Sequence, residues 1–281
     1  MITMKLFRLY FSNIICITIA AMLAICPPVH GQEKKTANDI LIIRDIGYKN
    51  QADAVTNTMV QNLDVYRRRD ASSKKKPVII FVHGGGFWEG DKRSELYIKM
   101  ATAFAKDGYV AFSINYRLKA KNQPYSNRIL DTCIADVAAA LTWIRMNNKR
   151  FGIDTTKIFI CGDSAGGGII INTCYDPLYS RYFKGCIDLW GGIPGEKGWE
   201  APIYNGHFTQ ELPPTCIIHG NADKIIPYET SSNLSVQLAA AKVYHELFPL
   251  QGADHYPVQL ADQFIPLMMA FADKIIKKKI K

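Results

Sequence analysis

The segment Gly162-Asp163-Ser164-Ala165-Gly166 constrains this chain more than any other. A strand-like run, Lys157–Cys161, leads into it, and an apolar stretch read as a helix, Ala165–Cys174, leaves it. A strand that turns into a helix over so few residues needs backbone conformations that glycine tolerates. Such a turn lifts the residue at its apex clear of the sheet. Here the apex is Ser164. The helix start behind it points backbone N–H groups toward developing negative charge. The expectation is a nucleophilic serine. A plain turn is the competing reading, because the pentapeptide alone occurs by chance.

The rest of the chain repeats this strand–helix alternation. Val78–His83, Tyr109–Asn115, Gly185–Leu189, Thr215–His219 and His245–Leu250 read as strands. Leu96–Asp107, Ile129–Asn147, Thr230–Lys242 and Phe264–Lys277 have helical spacing. That order predicts an α/β fold: a mainly parallel sheet of the eight-stranded type, with helices on both faces. Asp39–Tyr48 and Met59–Tyr66 are candidates for antiparallel edge strands.

Three further pieces give Ser164 possible partners. His83-Gly84-Gly85-Gly86-Phe87-Trp88 follows the strand Val78–Val82 directly. Consecutive glycines let backbone N–H groups approach a reacting oxygen, and acyl transfer needs such donors. Gly85 and Gly86, with Ala165, are assigned as that oxyanion hole. A phosphate cradle would want Lys-Ser/Thr after the glycines, and none is present. His83 belongs to the loop motif and is read as structural. Asp223, in Asn221-Ala222-Asp223, follows a strand end, where side chains enter the crevice of a parallel sheet. His255, in Gly252-Ala253-Asp254-His255-Tyr256, follows the last strand. Of six histidines it alone combines a post-strand loop with a place after both Ser164 and Asp223. Asp254 is the rival acid, but it abuts His255 and is poorly placed to orient that ring. The order Ser164, Asp223, His255 excludes a trypsin-like protease, whose serine comes last. Together the three would form a catalytic triad.

Composition sets the class and the compartment. The 281 residues are 48% hydrophobic and 21% charged, ordinary for a globular chain. The net charge of +9 comes without a basic stripe interleaved with aromatics, so no nucleic-acid partner is expected. Lys5 and Arg8, an apolar stretch from Leu9 to Ile25, and Pro27-Pro28 ahead of Val29-His30-Gly31 read as a signal peptide over 1–31. A single domain is expected over 32–281. An uncleaved anchor and a lipoprotein acylated at Cys26 are the alternatives, and the expected location is exported, periplasmic or secreted. Cys133, Cys161, Cys174, Cys186 and Cys216 lie mostly in apolar runs and read as buried free thiols. No spacing implies a metal, and no cofactor is implied.

These motifs together resemble the α/β-hydrolase superfamily. More narrowly they are similar to its HGGG-type carboxylesterases, near the hormone-sensitive-lipase-like esterases. The nearest likeness is to the bacterial acetyl-xylan and feruloyl esterase-like group. The resemblance extends from about Leu63 to the C-terminus. It includes Leu63-Asp64-Val65-Tyr66, Asn115-Tyr116-Arg117 and the helix from Asp136 to Trp143. It implies Ser164, Asp223 and His255 as triad and Gly85, Gly86 and Ala165 as oxyanion hole. It also implies an acyl-enzyme mechanism on a small-molecule or oligosaccharide ester. The chain departs from capped relatives: Trp190–Pro214 leaves room only for a small lid or a plain connection. Phe87, Trp88, Trp190 and Trp199 are expected to contact substrate. A short lid suggests a short acyl group, acetyl or feruloyl, on a bulky alcohol such as a sugar. A peptidase of the same fold and a non-catalytic binding protein are the alternatives.

Overall fold

The computed structural model describes residues 32–35, 40–49, 61–69, 74–195, 198–200 and 209–277. The proposed leader lies outside the described residues. Among them, nine strands form one sheet in the order β1-β2-β3-β5-β4-β6-β7-β10-β11. The strands are β1 (Gln32–Lys35), β2 (Ile40–Gly47), β3 (Asn62–Arg68), β4 (Lys76–Val82), β5 (Val110–Ile114) and β6 (Ile153–Asp163). Then come β7 (Gly185–Leu189), β10 (Thr215–Gly220) and β11 (His245–Leu250), while β8 (Ile193–Gly195) and β9 (Gly198–Glu200) make a separate antiparallel ribbon. The eight-stranded expectation therefore gains one short strand, β1, which pairs antiparallel with β2.

The first three strands and β5 are linked by antiparallel pairing, and β5, β4, β6, β7, β10 and β11 are parallel. The parallel strands explain their own composition. Val110–Ile114 and Gly185–Leu189 are buried at every position, because helices cover both faces. On one face pack α2 (Asn127–Met146), α3 (Asn148–Phe151), α4 (Ala165–Tyr175) and α5 (Glu229–Ala240). On the other pack α1 (Glu95–Lys106) and α6 (Ala261–Ile276). In α1 the buried set Leu96, Tyr97, Met100, Ala101, Phe104 and Ala105 follows the three-and-four spacing that puts one stripe against the sheet. All five described cysteines are buried free thiols.

The strand order reverses at β4, with β5 on one side and β6 on the other. Loops leaving the carboxyl ends of β4 and β6 diverge there and leave a crevice. Val82 is in register with Gly162, so the glycine loop and the serine turn leave the sheet side by side.

Candidate active site

Ser164 sits between β6 and α4 with φ 51° and ψ −122°, a conformation that strains a residue bearing a Cβ. The strain is held by backbone bonds. Ser164 N–H donates to the Leu189 carbonyl at 2.9 Å, and the Ser164 carbonyl accepts from Gly168 N–H at 3.1 Å. The three glycines of α4 permit the close approach behind it. A Cβ on Gly166 would stand 2.3 Å from the Val82 carbonyl oxygen, and one on Gly167 would stand 2.4 Å from Asp188 Oδ1. Positive φ recurs around the crevice. Phe87, Trp190 and Tyr256 share it, each in a loop after the carboxyl end of a parallel strand.

The three residues singled out for acyl transfer meet here. The Ser164 hydroxyl lies 3.0 Å from His255 Nε2, and His255 Nδ1 lies 2.7 Å from Asp223 Oδ2. A carboxylate only accepts, so His255 Nδ1 carries hydrogen and Nε2 is left to accept from the serine. Asp223 Oδ1 takes the Ile225 and Ile226 N–H groups at 2.8 and 2.9 Å. Burial works to raise the pKa of Asp223. The hydrogen bonds from His219, His255, Ile225 and Ile226 outweigh it and hold the carboxyl well below the usual range. Asp254 plays a different part: its Oδ1 accepts the backbone N–H groups of Lys224 and His255 at 3.0 and 2.8 Å, tying the two loops together.

Facing this chain of groups is a cavity of about 590 Å³, lined by the glycine loop, Ser164, His255, Trp88, Ile225 and Tyr256 among others. Gly85 adopts φ 107°, and a Cβ there would stand 2.1 Å from the Glu89 carbonyl oxygen, so only glycine fits. Among the described residues the N–H groups of Gly85 and Gly86 have no hydrogen-bond acceptor. Ala165 opens α4, so its N–H has no partner within the helix. Gly84 differs: its N–H donates to Asp163 Oδ1 at 2.7 Å. Asp163 is buried, and the Tyr97 hydroxyl also contacts its Oδ1. Burial drives the Asp163 pKa up against these bonds. His83 is buried, stacks on Tyr116 at 4.5 Å and bonds the Gly84 carbonyl through Nδ1 at 2.7 Å. Burial pushes its pKa down to about 4. It is a structural residue, as its place in the loop suggests.

Two of the four expected substrate contacts are corrected. Phe87 is fully buried, packed at 5.2 Å on Tyr125, and belongs to the core rather than the cavity wall. Trp190 is also fully buried, edge-on to Phe264 at 5.5 Å. Phe87 packs into the core on one face of the sheet and Trp190 into the core on the other, and neither lines the cavity. Trp88 does line the cavity, with Lys121 Nζ 4.7 Å above its ring. The Trp199 side chain lies outside the described residues, as do Tyr204, His207 and Phe208.

The sequence reading missed the residues that fix the glycine loop. Asp64, fully buried on β3, takes Arg93 Nε at 2.8 Å, Lys92 Nζ at 3.1 Å and Arg44 Nη1 at 3.1 Å. Asn115 accepts the Lys92 N–H at 2.7 Å and donates to Asp91 at 2.8 Å, and the Tyr116 hydroxyl donates to the His83 carbonyl at 2.7 Å. Asp64, Asn115 and Tyr116 stood in the segments that carried the resemblance, but their partners are too distant in sequence to be read from spacing. Asp188 was also missed. It is fully buried beneath Gly167, and neither carboxylate oxygen makes a hydrogen bond of good geometry. Burial pushes its pKa up to about 7.

Comparison with known proteins gives the chain's relatives. Residues 63–172 match the BD-FAE family model. The chain is 30% identical over 236 residues to Esterase LipC of Mycobacterium tuberculosis, covering 69% of this chain and 56% of that one. It is 35% identical over 164 residues to the para-nitrobenzyl esterase of Bacillus subtilis, covering 56% and 32%. The chain thus spans about half or less of these relatives' lengths. Among solved structures, a truncated carbohydrate esterase from gut microbiota superposes with TM-score 0.69 at 19% identity, covering 83% of this chain and 95% of that one. Esterase B from Lactobacillus rhamnosis gives 0.66 at 19%, covering 88% and 89%. These likenesses show an α/β-hydrolase fold, and over the matched residues the sequence is similar to that of esterases.

Proposed function

We propose that this protein is a serine carboxylic ester hydrolase that works through an acyl-enzyme. The observation that carries the reading is the continuous chain from Ser164 Oγ to His255 to Asp223, at 3.0 and 2.7 Å, opposite free N–H groups. Ser164 Oγ bonds to the acyl carbon while its proton passes to His255 Nε2. The carbonyl oxygen becomes an oxyanion held by Gly85, Gly86 and Ala165 N–H, each worth about 2.7–4 kcal/mol. Asp223 keeps the His255 ring in place and balances the imidazolium. When the tetrahedral intermediate collapses, the alcohol leaves with the proton from His255. Water then repeats the sequence, with His255 as base, and releases the acid.

The substrate we infer carries a short acyl group, acetyl or feruloyl, on a bulky alcohol such as a carbohydrate. The rim of Trp88, Ile225 and Tyr256 offers apolar and aromatic surface to such a group, and the connection from β7 to β10 is short. The likeness to a carbohydrate esterase points the same way. The leader-like 1–31 segment makes the enzyme an exported one in this reading.

A fluorophosphonate probe tests the proposal. It should label the protein at Ser164, and Ser164→Ala should abolish labelling and lower kcat at least about 10³-fold. A folded protein that is never labelled would point to a binding protein instead. Faster cleavage of long-chain lipid esters than of p-nitrophenyl acetate or acetylated xylan would sink the substrate assignment.

A further inference from the structure

Asp223 serves a second imidazole. His219, on β10 four residues before Asp223, is wholly buried. Its Nε2 lies 3.1 Å from Asp223 Oδ2 and 3.0 Å from the Ile226 carbonyl oxygen. Its Nδ1 lies 2.7 Å from Ser231 Oγ on α5. Both groups at Nε2 only accept, so that nitrogen carries hydrogen. Asp223 Oδ2 is therefore the common acceptor of two ring N–H groups, at 2.7 Å from His255 and 3.1 Å from His219. A histidine buried for packing alone would already be satisfied by Ser231 and the Ile226 carbonyl. The contact with Asp223 is extra.

We propose that His219 is a positioning residue that tunes the proton affinity of His255 through the shared oxygen of Asp223. This rests on the esterase reading above. A donor on Oδ2 draws off part of the carboxylate charge, leaving less to stabilise the imidazolium that forms on His255. The same bond, with Ile225 and Ile226 N–H on Oδ1, fixes the plane in which Asp223 meets His255. Ser231 sets the ring angle from the far side. The other ionisable groups around the pair are Asp163 beside Ser164, the surface pair Lys224–Asp254, and Tyr228, whose ring stands edge-on to His219 at 5.8 Å. The His219 substitutions themselves alter none of these groups.

The test is the pH profile of kcat/KM for p-nitrophenyl acetate in His219→Leu, His219→Gln and Ser231→Ala, with melting temperature followed in parallel. Leucine removes the donor. Its acidic limb should move up by about half a pH unit to one unit, and kcat should fall on the order of tenfold with KM within about twofold. Glutamine restores an N–H and should bring the limb back. Ser231→Ala should move it a smaller distance the same way. A limb that stays put in both the leucine and alanine variants, or moves equally with glutamine and leucine, overturns the proposal. If the leucine variant does not fold, ¹⁵N NMR of the wild-type ring decides together with Ser231→Ala: Nε2 must carry hydrogen across the active pH range, and a bare Nε2 overturns the proposal. Failure of fluorophosphonate to label Ser164 would bring down the esterase reading and this one with it. Normal labelling with an unmoved limb removes only the role of His219.

Discussion

The two sides of the crevice are held by different means. The glycine loop and its continuation to Ser94 are anchored by buried charge: Lys92, 1% exposed, and Arg93 run into Asp64, which is sealed from solvent. The loops carrying Asp223 and His255 are mostly exposed, with Asp223 fixed by backbone N–H groups and two imidazoles. A buried ion pair is costly to break once formed, whereas turn hydrogen bonds can be rearranged at modest expense. The difference fits two tasks. Oxyanion donors must be fixed before charge develops. A histidine that takes a proton from one partner and gives it to another needs room to adjust.

The sharpest way to break this contrast is to alter one aspartate on each side. Asp223→Asn should lower kcat about 10³- to 10⁴-fold, because it spoils the His255 tautomer, while the urea midpoint changes little. Asp64→Asn should do the reverse. Stranding Lys92 and Arg93 should cost about 3–5 kcal/mol in urea unfolding, with kcat reduced only as the loop loosens. If both variants lost stability equally, the two sides would not differ in kind. The third prediction probes the ground between them. Asp188, beneath the serine turn, has its pKa raised by burial to about 7. The folded state therefore holds its proton after the unfolded chain has lost it, and its contribution to stability is present in acid and lost as pH rises toward 7. The slope should be about −1.4 kcal/mol per pH unit between the two pKa values. Urea unfolding from pH 4.5 to 7.5 checks this: the difference between wild type and Asp188→Asn should carry the slope, and parallel curves would refute it.

Much of this was legible because it is local. The serine turn needs only a strand, two glycines and a helix in a row. The glycine loop needs only its own run of residues, and His255 needs only its position after the last strand. Phe87 and Trp190 misled because an aromatic residue beside a glycine serves a core as well as a rim, and which of the two it joins is decided by packing against residues distant in sequence. Asp64 and Lys92 were opaque for another reason. Their pairing spans two strands and a helix start, so it exists only after the sheet has assembled. His219 did leave a trace: a histidine at a strand end, four residues before the acid, with the chain turning back between them.

The glycine triplet behind Ser164 has a practical consequence for anyone redesigning this protein. Where Gly166 and Gly167 meet the sheet there are no side chains to trade, because backbone and carboxylate atoms already fill the space a methyl group would need. Side chains added at Gly166 or Gly167 therefore offer no gradual way to shift Ser164. Altered selectivity will have to be won at the rim, at Trp88, Ile225 and Tyr256, where substitutions reshape what enters without disturbing what attacks.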